Sequence, residues 1–275
     1  MMSKKKLTVQ EVLENAPKSW PLKVAITLFF IIILMIANNY ISYNGLTDTG
    51  VRVARNILRS IFSPNMDYLF NFSSRSAVPF LLLETTAIAF LGTIIGTVIS
   101  IPIAFLSSRN IVPKWMASIG VSIIVVIRTF PAVVYGLMFI RVTGPGAFTG
   151  VLTLSVASIG MIAKLFIEVI EDLDPGIIEA LDASGCNTIQ KIQYGIIPQL
   201  LSNFASTAIY RFEINVKYAT ILGMVGAGGI GAPLIFAINA FRWSDVGALL
   251  IGLILLVLVI EAVSTKIRSK LATGE

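Results

Sequence analysis

Residues 174–198 read DPGIIEALDASGCNTIQKIQYGIIP. Asp174 carries a short acceptor side chain suited to an N-cap, and Pro175 fits the first helical position, where its missing N–H is not needed. Gly185 suits a C-terminal stop. The residues between them make a helix of about three turns. Ile177, Ile178 and Leu181 form an apolar ridge on it, and Glu179 with Asp182, three apart, forms an acidic one. Asn187 or Thr188 can cap a second helix that leads to Pro198. This pattern is a small helical knob, with enough apolar face to dock into a groove and too little to span a bilayer.

Long apolar runs flank the knob. A bilayer core takes about 20 apolar residues as helix. On that length, spans are expected at about Phe148–Ile170 before the knob and Pro198–Leu222 after it. Further out lie Leu22–Ile41, Val78–Leu106 (interrupted by Pro102), Met116–Ile140 (containing Arg128 and Pro131) and Ser244–Ser264. The expected fold is therefore all-α, a polytopic membrane protein of six transmembrane helices. The run at Leu22 is long enough to span and has no small-residue cleavage site behind it, so it reads as a retained span and not a removed signal.

Composition agrees. Of 275 residues, 56% are hydrophobic and 13% charged, with a mean hydropathy of +0.86. A soluble domain carries roughly 25% charged residues, so lipid must cover part of this chain. With Cys186 the only cysteine and no histidine, an intrachain disulfide, a Cys/His zinc site and a histidine base are all excluded. The net charge of +6 reads as positive charge held on the cytoplasmic side of a membrane, not as a nucleic-acid surface.

The charge distribution orients the spans. Lys4, Lys5, Lys6, Lys18 and Lys23 precede or open the first span, and Lys266, Arg268 and Lys270 follow the last. Short Lys/Arg-rich segments stay inside, so both termini, the loop around Arg109 and Lys114, and the knob are expected in the cytoplasm. Residues 44–77 and 224–243 are expected outside. Within 44–77, Arg52, Arg55 and Arg59 share one helical face, the pattern of a helix lying in the interface plane. Two regions are expected: 1–77, an N-terminal arm, first span and external amphipathic helix; and 78–275, a transmembrane domain carrying the knob at about 174–187.

On these residues the chain resembles ABC importer permeases. Their cytoplasmic signature runs Glu-Ala-Ala, a Gly after a short gap, then hydrophobic-X-hydrophobic-Pro, matched here by Glu179, Ala180, Gly185, Ile197 and Pro198. Leu181 stands where Ala is usual and Gly195 where Ile is common. The stretches RTFPAVVYGLMFI (128–140), YRFEINVKYATILG (210–223) and MVGAGGIG (224–231) look like the phosphonate importer permeases, the PhnE family. The glycine run is also much as in methionine-type permeases. The resemblance implies a type-I ABC importer permease (MetI-like) fold and a multi-pass place in the bacterial cytoplasmic membrane. It implies transport of a phosphonate, or of a related anion such as phosphite or a phosphate ester.

The same resemblance makes the knob a coupling helix that contacts an ATPase subunit through Asp174, Ile178, Glu179, Ala180, Leu181, Asp182 and Gly185. ATP and Mg would sit on that separate subunit, with no cofactor on this chain, which has no Walker motif. The implied partners are the ATP-binding subunit, a second permease copy or paralogue, and an external or lipid-anchored binding protein. A permease for methionine or another small solute is the nearest alternative, and a stand-alone channel a more distant one.

Charges inside spans are costly and tend to be functional. Arg128, Arg211, Glu213 and Lys217 are the candidates for the translocation pathway. Arg suits a phosphoryl group through its planar fork of donors. Glu213 and Lys217 can pair at i, i+4, Glu213 is also the obvious partner for Arg211, and Lys164 reads as a snorkelling residue. Gly223, Gly226, Gly228 and Gly229 lack the Lys-Ser or Lys-Thr of a phosphate loop. They read as close helix approach and irregular backbone beside a cavity, and the resemblance places them near an external gate.

Overall fold

The computed structural model describes residues 20–40 and 47–273. The basic arm with Lys4, Lys5, Lys6 and Lys18 lies outside them. The chain divides into two units, residues 1–53 and 54–275. In the first, α1 (Trp20–Tyr40) is a single apolar helix with no buried residue, as a span that meets lipid requires. Next in the chain is α2 (Asp48–Ile61), whose Arg52, Arg55 and Arg59 are all exposed.

The second unit is built around α4 (Val78–Ser107), reached through the short α3 (Met66–Leu69). Its closest neighbour is α7 (Ala147–Glu171), and small residues set the approach. A Cβ added at Gly92 would stand 2.6 Å from Leu154 Cβ, and one at Gly96 2.6 Å from Ser158 Cβ. α10 (Ile197–Met224) and α12 (Trp243–Thr273) complete the bundle, with α11 (Gly231–Asn239) as a short helix between them. One core holds the C-terminal ends of α4 and α7 against the start of α10 around Phe105, Phe166 and Phe204, whose ring centres lie 4.1 Å (166–204) and 6.3 Å (105–204) apart. A second, around Leu69, Val78, Ile230 and Leu249, ties α3, α11 and α12 to the start of α4.

Two expectations about proline need correction. Pro102 does not interrupt α4, which runs unbroken from Val78 to Ser107. The lost hydrogen bond and ring clash of an internal proline cost about 3 kcal/mol, and the buried Ala104 and Phe105 just beyond it hold the helix in place. Pro131 does break the expected third span. α5 (Lys114–Thr129) and α6 (Ala132–Thr143) meet there at 82°. The residue before a proline is driven out of the helical region, and Phe130 is extended, at φ −92° and ψ 128°.

Among the described residues, four helices are long and apolar enough to cross a membrane: α1, α4, α7 and α12. The bent α5–α6 pair brings the number to five. α10, the remaining expected span, is 28 residues long but carries Arg211, Glu213 and Lys217.

Candidate functional site

The knob forms by local chemistry. Asp174 Oδ1 accepts from the Gly176 N–H at 2.8 Å and starts α8 (Pro175–Ala183). Gly185 ends it at φ +77°, a left-handed conformation that disfavours a Cβ, and the Cys186 N–H reaches back to the Leu181 carbonyl at 3.0 Å. Asn187 Oδ1 accepts from the Gln190 N–H at 2.9 Å, while Gln190 Oε1 accepts from the Asn187 N–H at 2.8 Å. That reciprocal box opens α9 (Thr188–Gln190), which continues through a π turn (Lys191–Ile196) into α10. Lys191 Nζ bridges back to Asp182 at 2.6 Å.

The apolar ridge is partly covered. Ile177, Ile178 and Leu181 are half-buried, and Leu181 packs on Gly195 of the π turn. Three isolated apolar side chains gain more by closing the hairpin than by standing in water. The face left exposed is Glu179, Ala180, Asp182 and Gly185. The two departures from the permease pattern explain each other: a Cβ at position 195 would overlap Leu181 Cδ1, so the larger residue at 181 is matched by the smaller at 195.

The helix α10 separates its charges by face. Arg211 is 5% exposed. Its Nε donates to Ser158 Oγ at 3.1 Å, and its Nη1 lies 2.8 Å from Met161 Sδ. Its guanidinium carbon sits 5.9 Å from the Tyr218 ring centre. Arg128 lines the same cleft of about 250 Å³, with Phe130, Pro131, Met161 and Tyr218. Gly160 lets the Arg128 stem lie against α7: a Cβ there would stand 2.8 Å from Arg128 Cγ. Among the described residues no carboxylate lines this cleft.

Glu213 and Lys217 are elsewhere. Two residues along a helix turn the side chain by about 200°, so Glu213 points to α12. It pairs with Lys217 at 3.3 Å and Arg268 at 3.2 Å, and Lys217 also reaches Glu261 at 3.9 Å. Glu213 is therefore not the partner of Arg211: with Lys217, Glu261 and Arg268 it forms a network joining two helices.

The glycine segment is pinned by residues that the sequence reading missed. Glu84 Oε1 accepts from the Gly229 N–H at 3.2 Å, and Thr85 Oγ1 from the Ile230 N–H at 2.9 Å. The Gly146 N–H donates to the Gly226 carbonyl at 2.9 Å. Gly226, Gly228 and Gly229 have φ of +102°, +81° and +75°. Gly223 stands where a Cβ would meet the Gly228 carbonyl and the Gly231 N–H. A lone acid in an otherwise apolar stretch was the available signal for Glu84. Asn215 was missed too: wholly buried, it donates to Thr93 Oγ1 and Ser158 Oγ, both at 2.8 Å, and so shares Ser158 with Arg211.

Residues 96–267 match the model of the binding-protein-dependent transport system inner membrane component. The chain belongs to that family. It is the permease subunit of an ABC-type importer, an inner membrane transport component. It is 36% identical over 189 residues to the phosphite transport system permease protein PtxC of Stutzerimonas stutzeri, covering 68% of each chain. It is 34% identical over 192 residues to the phosphate-import permease protein PhnE of Mycolicibacterium smegmatis, covering 68% of this chain and 36% of that one. The fold is similar to that in the inward-facing MetNI methionine ABC transporter (CY5 native crystal form), with a TM-score of 0.60 and 22% identity over 69% of this chain and 94% of that one.

Proposed function

We propose that this permease passes a tetrahedral phosphorus oxyanion, such as phosphite, a phosphonate or a phosphate ester, and that Arg128 and Arg211 carry it past the membrane midpoint. The observation that carries this reading is one cleft lined by both arginines and, among the described residues, by no carboxylate. A buried arginine costs roughly 2.5–3.5 kcal/mol on insertion scales. Glu213 does not offset that cost for Arg211, because its carboxylate is engaged by Lys217 and Arg268. A passing oxyanion supplies the missing charge, and the planar guanidinium fork fits its oxygens. The similarity to phosphite and phosphate-import permeases points to the same class of solute.

On this reading a separate subunit hydrolyses ATP with Mg and receives the exposed face of α8. A second permease copy or paralogue completes the pathway, and an external binding protein delivers the anion. Both termini and the knob face the cytoplasm. The test is uptake by the whole transporter reconstituted in lipid vesicles. Labelled phosphite is expected to enter with ATP supplied on the face that bears residues 174–187, and unlabelled methylphosphonate to compete while methionine does not. Transport of methionine with no uptake of phosphite, phosphonate or phosphate ester would leave an importer of another substrate class.

A further inference from the structure

A second cavity, of about 230 Å³, continues the first along α7. The two share Arg128. Ala157 and Met161 line the first, and Lys164, Ile167 and Glu171 the second. These five residues fall on one stripe of α7, about 21 Å long at 1.5 Å per residue. Arg109, from the turn after α4, closes the far end. Along this stripe stand Arg211, Arg128, Lys164 and Arg109, and one anion can be held by successive members.

The second cavity keeps a positive balance. Among the described residues three cations line it against one carboxylate, Glu171, whose Oε1 accepts from the Arg109 backbone N–H at 2.8 Å. Lys164 is held by Glu168 at 2.7 Å, with its side chain 44% exposed. Among the described residues neither Arg109 nor Arg128 is in an ion pair. An exposed pair of this kind is weak and exchanges readily, so Lys164 can leave Glu168 for an arriving oxyanion.

We infer that the cavity of Arg109, Arg128 and Lys164 is a second oxyanion station, at the cytoplasmic mouth of the route. It receives the phosphorus oxyanion from the Arg128–Arg211 cleft and releases it as Glu168 reclaims Lys164. This rests on the function proposed above. Conduction needs sites that bind strongly enough to fill and weakly enough to empty, and the competing Glu168 supplies the second condition. A station open to the cytoplasm also senses anion already imported, so internal phosphite occupies it and slows uptake.

The experiment uses the reconstituted transporter with its ATPase and binding protein, labelled phosphite outside, and unlabelled phosphite on the cytoplasmic face. In the wild type, cytoplasmic-face phosphite inhibits uptake. Lys164→Gln and Arg109→Gln each weaken that inhibition about tenfold, the worth of one charge-assisted hydrogen bond. Lys164→Arg preserves it, and Glu168→Gln strengthens it. Copurification with the ATPase establishes assembly, and Arg109→Gln serves if Lys164→Gln does not assemble. Equal inhibition in all variants overturns the station while leaving the proposed substrate standing. Absence of phosphite uptake in the wild type overturns both. An anionic lipid phosphate has the same chemistry, so vesicles of neutral lipid are compared with vesicles containing phosphatidylglycerol. If cytoplasmic-face phosphite has no effect and uptake instead follows phosphatidylglycerol through Lys164, the cavity is a lipid site and the station is overturned.

Discussion

Arg211 and Glu213 lie two residues apart on one helix and have opposite surroundings. Glu213 faces α12 and sits between two cations, Lys217 and Arg268. Arg211 faces α7, donates to a neutral hydroxyl and a thioether, and borders a cleft with another arginine. A charge that finds its counter-charge inside the protein belongs to the scaffold. Among the described residues Arg211 keeps only neutral partners beside open space, and the proposed function fills that space with a passing anion. On the proposed function, the same helix joins the bundle along one face and serves transport along the other.

The largest effect on stability is expected at the scaffold face. Glu213→Gln leaves Lys217 and Arg268 without their shared carboxylate. Breaking a buried pair costs about 3–5 kcal/mol, reduced here to about 2–3 kcal/mol because both cations are partly exposed. Thermal unfolding of the purified complex is expected to shift down, while uptake per assembled transporter stays near wild type. An unshifted melting curve would remove the contrast between the two faces.

A smaller effect is expected at the base of the knob. Gly195→Ile overpacks the hairpin against Leu181, at about 1–3 kcal/mol. In a Leu181→Ala background the same change is expected to cost much less, giving a coupling of about 1–2 kcal/mol between contacting residues. Thermal unfolding of the four proteins measures it. Additive losses would mean that the two departures from the permease pattern are unrelated.

Much of this was legible in the sequence where the physics is local. Asp174, Gly185 and Asn187 act through backbone groups a few residues away, so their roles can be read from order alone. The spans α1, α4, α7 and α12 followed from length and apolarity. Lys217 with Glu213 followed from helical spacing. Arg268 did not, since it arrives from another helix, and without it the pair reads equally well as route or scaffold. The 82° elbow was written in Pro131, but hydropathy is the same on both sides of it and hides the break. Pro102 carried the same local signal and gave no break, because packing around Ala104 and Phe105 decided the outcome. Glu84 and Asn215 act on segments far along the chain, Gly229 and Thr93 respectively, so their partners appear only in three dimensions.

The central claim is that Arg211 serves the passing anion and not the fold. Arg211→Gln tests it directly, with melting temperature and phosphite uptake measured on the same preparation. Glutamine can still donate to Ser158, and it removes a charge whose burial costs roughly 2.5–3.5 kcal/mol. The account predicts a melting temperature equal to or above wild type, basal ATPase unchanged, and uptake at least about tenfold lower, the worth of one charge-assisted contact. A destabilised or dispersed complex, or a stable one with wild-type uptake, would contradict it.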